Sequence, residues 1–102
     1  MVEKIKIGWK EYGIQCVESS NVLMNGGMEC YGEILHDKCL IRLNVSNTED
    51  QMRATVVHEI LHGIENMYGI DLGEEVVTKL GNALYTLVKD NPKLIGGLIS
   101  PQ

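Results

Sequence analysis

The chain has 102 residues, enough for one domain built on a single core of modest size. It is 44% hydrophobic and 23% charged, a balance that excludes disorder as its main state. A formal net charge of -5, no Phe and only 5% aromatic residues argue against nucleic acid or an anionic membrane surface as partner, since both attract basic surfaces.

The N-terminal stretch from Met1 to Lys10 alternates charged and apolar residues and has no continuous apolar signal core. No later stretch is apolar enough to span a bilayer. The expectation is a cytoplasmic protein with one domain over residues 1–102. Lys4-Ile5-Lys6-Ile7 alternates with a period of two, and Tyr12, Ile14 and Cys16 continue it. These read as one long strand, or as two broken near Gly8 or Gly13. Ser19 to Gly27 contains Ser-Ser-Asn and Asn-Gly-Gly and reads as mainly turn or loop. Glu29–Leu35 and Lys38–Leu43 are two short strands, with His36-Asp37 as a tight hairpin turn between them. The three cysteines, Cys16, Cys30 and Cys39, are odd in number and form no C-x-x-C, so they read as small core hydrophobes rather than a disulfide framework. His36 reads as a turn residue, and its spacing to Cys39 does not make a metal pair.

The period then changes. Ser46-Asn47-Thr48-Glu49-Asp50-Gln51 is a helix start, with Thr48 and Gln51 at capping-box spacing. A helix is predicted from about Glu49 to about Tyr68, with Val57, Ile60, Leu61, Ile64 and Met67 as its apolar face and Gly69 as its stop. A second is predicted from about Gly73 to Asp90, with a buried stripe of Val76, Val77, Leu80, Ala83, Leu84, Leu87 and Val88, ended by Asn91-Pro92. The tail from Lys93 onward reads as irregular and packed on the core or a partner. The fold class that follows is α+β: a small antiparallel sheet and then two long helices.

Mid-way along the first helix stands His58-Glu59-Ile60-Leu61-His62, the pattern H-E-x-x-H. Residues four apart lie one turn apart on the same face, so both imidazoles reach one ion at about 2.0–2.1 Å. Glu59, about 100° round the helix, is poorly placed as a third ligand and well placed to take a proton from a water on the metal. By chance alone the pattern arises in roughly one chain of this length in several hundred. It also falls mid-helix behind a capping box, which makes His58 and His62 zinc ligands and Glu59 a general base. A catalytic zinc needs a third protein ligand and an open position. Glu65 is on the same rigid helix and closes a tetrahedron poorly; Asp71 lies in the connecting loop. Glu74 and Glu75 open the second helix, and the rotation that buries its apolar stripe favours Glu74 over Glu75. One of the two then only complements the helix dipole. No third histidine follows His62, which excludes the metzincin pattern.

The run Thr55-Val56-Val57-His58-Glu59-Ile60-Leu61-His62-Gly63-Ile64 resembles the zinc helix of small phage- and prophage-encoded, zincin-like metallopeptidases near the ImmA/IrrE group. Glu74-Glu75-Val76-Val77-Thr78-Lys79-Leu80, then Leu84-Tyr85 and Asp90-Asn91-Pro92, also look like theirs, as do Gly32-Glu33-Ile34 and Ile41-Arg42-Leu43 upstream. The resemblance spans about Gly32 to Pro92 and implies a minimal gluzincin: two His ligands, a Glu ligand from the next helix, and a short sheet beside the zinc helix. One Zn²⁺ per chain and hydrolysis of a peptide or protein substrate are the expectation. An extended peptide would pair with the hairpin near Lys38–Asn44. Tyr68 and Tyr85 are candidate oxyanion donors, though packing is the plainer role for each. The alternatives are a zinc-binding regulatory module without hydrolysis, and a metal-free helical interaction protein. Retention of Glu59 speaks against the first and the motif against the second.

Overall fold

Alternation does build the first half as strands. The computed structural model describes residues 3–18, 24–25, 28–29, 31–45 and 48–100. Strand β1 (Lys4–Ile7) turns at Gly8-Trp9 into β2 (Lys10–Val17), with Ile7 opposite Lys10, so the break falls at Gly8 and not at Gly13. Gly8 has φ +61, the left-handed conformation that a two-residue hairpin turn demands. The two-residue strand β3 (Met24–Asn25), within the segment read as loop, pairs with β4 (Met28–Glu29) just beyond it, so the strand expected over Glu29–Leu35 is divided between β4 and the next strand. The expected turn residues 19–23 and 26–27, Cys30, and the helix-start residues Ser46 and Asn47 lie outside the described residues.

Strands β5 (Gly32–Leu35) and β6 (Leu40–Asn44) form the second hairpin of the main sheet. Its turn is four residues long, 36–39, rather than the two of His36-Asp37, and it ends on Cys39 at φ 51. The sheet order is β1-β2-β6-β5. β5 descends one strand's width away from β2, and β6 returns through the gap, so β2 and β6 pair in parallel, Gly13 opposite Leu40 and Cys16 opposite Leu43. The sheet is therefore mixed, which corrects the antiparallel expectation. It also makes β6 an interior strand, so the free edge of this hairpin is β5 rather than Lys38–Asn44.

Helix α1 (Glu49–Tyr68) lies across one face of this sheet. The Thr48 side chain accepts a hydrogen bond from the Gln51 N–H at 3.1 Å, and Gly69, at φ 67, ends the helix in the left-handed conformation. Ile7, Tyr12, Ile41 and Leu43 form the buried centre of the sheet face, and Met52, Val56, Ile60, Ile64 and Met67 pack onto it from α1. Two glycines set how closely the layers approach. A Cβ on Gly63 would stand 2.6 Å from Ile7 Cδ1; one on Gly32 would stand 2.6 Å from Thr55 Cγ2 and 2.9 Å from the Arg42 carbonyl oxygen. The second contact is backbone and cannot give way, so Gly32 is what lets α1 lie against the start of β5.

Helix α2 (Glu74–Asp90) packs on the far side of α1. Gly81 is the point of closest approach: a Cβ there would sit 3.5 Å from His58 Cα and 3.6 Å from Leu61 Cδ1. Val77 and Gly81 are buried, but Val76, Leu80, Leu87 and Val88 stay 38–48% exposed. The stripe read as buried is thus covered only along a narrow line, because one cylinder touching one other cylinder covers no more. The tail is not irregular: Leu94–Ile99 forms a short helix, α3, whose Leu98 and Ile99 are 72% and 75% exposed and not part of the core. Cys16 is exposed and Cys39 half-buried, so the reading of core cysteines fails for Cys16. Among the described residues no helix is long and apolar enough to cross a membrane.

Candidate metal centre

The α1 face that carries His58 and His62 is the one α2 covers. α2 starts at Glu74, after Gly73 at φ 85, one turn before the closest approach at Val77 and Gly81. Its first side chain therefore meets the histidines. His58 Nε2 lies 2.8 Å from Glu74 Oε1, and His62 Nε2 lies 2.9 Å from Glu74 Oε2. The two Nε2 atoms are 3.2 Å apart. Among the described residues this trio is the set of His, Cys, Asp or Glu groups close enough to hold one ion. Glu75 turns outward to Lys79 at 3.0 Å, so it does not join the site. The rotation of α2 that buries Val77 brings Glu74, not Glu75, to the histidines. Asp71 is exposed in the connecting loop, outside the trio.

Donor chemistry tests whether a cation belongs there. Glu65 Oε1 lies 2.7 Å from His62 Nδ1, and a carboxylate can only accept, so Nδ1 donates. In the neutral ring Nε2 is then a lone pair, yet it faces the Glu74 carboxylate at 2.9 Å. Two acceptors at that distance require a proton or a cation between them. Ligand atoms about 2.0–2.1 Å from a tetrahedral zinc stand roughly 3.3 Å apart. The observed separations, 2.8 and 2.9 Å from the histidines to the two different Glu74 oxygens and 3.2 Å between the Nε2 atoms, are shorter than that, so the three groups would move apart slightly to admit an ion. Two imidazoles and a carboxylate suit zinc, and three protein ligands leave one position open.

Glu59 is buried beside this trio, 6% exposed. Burial pushes its carboxyl up to about 7; His62 opposes the shift, and Glu74 and Glu33 add to it. Glu65 is shifted the other way: hydrogen bonds from the Leu72 N–H and from His62 hold its carboxyl below the ordinary range.

A cleft of ≈ 780 Å³ is lined by His58, Glu59, His62 and Glu74 and, as one wall, by the β5 edge from Tyr31 to Ile34. Tyr31, 57% exposed, and Asn82 also line it, and sequence reasoning missed both. No local pattern marks them; only the β5–α1–α2 arrangement brings them together. Neither candidate oxyanion donor is there. Tyr68 is 63% exposed, and Tyr85 donates to Asp50 in a second cavity, where Lys89 Nζ also reaches Asp50 at 3.0 Å. His36 is a turn residue, with Nδ1 3.3 Å from the Tyr12 hydroxyl, and Cys39 Sγ points at the His36 carbonyl. Glu65 was weighed as a ligand and instead occupies the opposite nitrogen of His62; the H-x-x-E spacing from His62 was its signal. Searches of family models, of curated proteins and of solved structures each give no match to the chain.

Proposed function

We propose that the chain is a minimal zincin-like metallopeptidase of the gluzincin type, holding one zinc ion through His58, His62 and Glu74 and hydrolysing peptide bonds with Glu59 as general base. The observation that carries this reading is the convergence of two Nε2 atoms and one carboxylate within 3.2 Å of one another in an open cleft, with a second carboxyl, the buried Glu59, beside them. Zinc held by His58, His62 and Glu74 would supply Lewis acidity toward a carbonyl and would ease deprotonation of water to a nucleophile near neutral pH. Glu59 accepts the proton of the attacking water and returns it to the leaving amine. Burial pushes this carboxyl up in the metal-free chain, and a cation held beside it would favour the ionised form that accepts the proton. The wall of the cleft supports an extended peptide as substrate. β5 pairs on one side with β6, and its other side borders the cleft, so an extended peptide can add as a further strand there.

The test combines metal content and cleavage. Wild-type protein should carry one zinc per chain, lost in His58→Ala and His62→Ala. Glu59→Gln should keep the metal and lose about 10²–10⁴-fold in cleavage of a fluorogenic peptide library. Zinc retained by a wild type that cleaves none of the library would leave the non-hydrolytic binding module as the function. No zinc uptake at all would remove the metal reading.

A further inference from the structure

Glu65 touches both the His62 side chain and the loop that leads into Glu74. Its side chain is 14% exposed. Oε1 accepts a hydrogen bond from His62 Nδ1–H at 2.7 Å, and Oε2 accepts one from the Leu72 backbone N–H at 2.7 Å. Its main-chain carbonyl closes the end of α1 by accepting from the N–H groups of Gly69 and Ile70. Leu72 is followed by Gly73 and then by Glu74. One residue thus grips a metal-facing imidazole from behind and pins the loop that delivers the proposed third ligand.

We propose that Glu65 is the positioning residue of this metal centre: it fixes His62 as the Nδ1–H tautomer, so that Nε2 faces the ion, and it anchors the Leu72-Gly73 loop so that Glu74 arrives opposite both histidines. The inference rests on the zinc reading above and adds to it a residue that touches neither ion nor substrate. Its logic lies in the two acceptor oxygens. A carboxylate satisfies two donors at once, whereas a carboxamide of the same shape has one acceptor and one donor end. Glu65→Gln must therefore set its NH₂ either against the Leu72 N–H, which releases the loop, or against Nδ1. The latter favours the opposite tautomer and puts a proton on the nitrogen that should bind metal. Groups that orient a ligating histidine in this way are typically worth 10–100-fold in metal affinity.

Three measurements on the full chain test it. In metal-free wild-type protein the ¹⁵N shifts of His62 should report a proton on Nδ1, with Glu74 free to draw a second one onto Nε2; a ring without the Nδ1 proton would overturn the proposal without any variant. Zinc titration of Glu65→Gln, with far-UV circular dichroism unchanged, should show affinity lower by 10–100-fold. Cobalt-loaded Glu65→Gln should show altered visible bands, because displacement of Glu74 or rotation of His62 changes the ligand field, which loss of stability alone would not do. Glu65→Asp keeps the charge but is one methylene too short to span both donors, so it should bind zinc more weakly than wild type as well. Equal zinc affinity and identical cobalt spectra in wild type and Glu65→Gln would sink the positioning role and leave the zinc site standing. Failure of the wild type to bind zinc would instead strike the proposed function.

Discussion

A carboxyl that sits near 7 in the folded chain and near 4.5 in the open chain makes stability depend on pH in a definite direction. Below about pH 4.5 Glu59 is protonated in both states and costs nothing. As pH rises from there to 7, the unfolded chain ionises first and the folded state loses ground, and above 7 the full penalty is present. About two and a half pH units correspond to roughly 3 kcal/mol in the metal-free protein. His36, lowered by burial and then by Lys10, pulls the opposite way as pH rises toward 6.5, so the comparison must be between variants. With a chelator present, Glu59→Gln should gain on wild type in urea unfolding by little at pH 5 and by about 3 kcal/mol at pH 8. A difference independent of pH would contradict the burial argument. A zinc ion held at the proposed site would oppose the shift, so loading should shrink the effect. At this scale the sequence was informative where chemistry and spacing coincide: His58, Glu59 and His62 were legible because four residues make one helical turn. Glu74 was legible only through the rotation that Val77 imposes on α2. Tyr31 and Asn82 were not, because their meeting depends on how three elements pack.

Among elements, α2 is the one held most lightly. Two of its 17 residues are buried, and α1 is its main neighbour. The clasp at its far end, Tyr85 and Lys89 on Asp50, is exposed and screened by solvent, so it holds little. A zinc ion shared by Glu74 and the two histidines would tie α2 to α1 at the other end. Metal binding should therefore be felt first by this helix. In hydrogen exchange, chelated protein should show α2 amides exchanging well ahead of those in α1 and β6. Zinc at about 100 times its Kd should slow the α2 amides by up to 100-fold, the limit that mass action sets. Uniform protection of every element, or none in α2, would argue against a ligand supplied by that helix. The bounds of α1 were legible because Thr48 and Gly69 are strong caps. α3 was not, since Leu94-Ile95-Gly96-Gly97 pairs helix-compatible residues with two poor formers; in the structure its ends are marked by backbone hydrogen bonds from Gly97 to Lys93 and from Ser100 to Gly96.

For the whole molecule, alternation showed which segments were strands but not their order, because a period of two is the same in parallel and antiparallel pairs. The return of β6 between β2 and β5 was invisible for that reason. That insertion has a consequence in time. β1–β2 and β5–β6 are local hairpins of the kind that close in about 1–10 μs. The β2–β6 seam joins residues as far apart as Gly13 and Leu40, and neither hairpin owns a complete apolar face until the seam closes. Loop-closure entropy falls on that step, which makes it the barrier. Ile41→Val, on the seam and fully buried, should lose about 0.5–1.5 kcal/mol and take most of it as slower folding. Val77→Ala, between the helices, should instead speed unfolding and leave the folding rate nearly unchanged. Stopped-flow chevrons of the two metal-free variants separate these outcomes, and a reversed partition would mean that the helices dock before the sheet is whole.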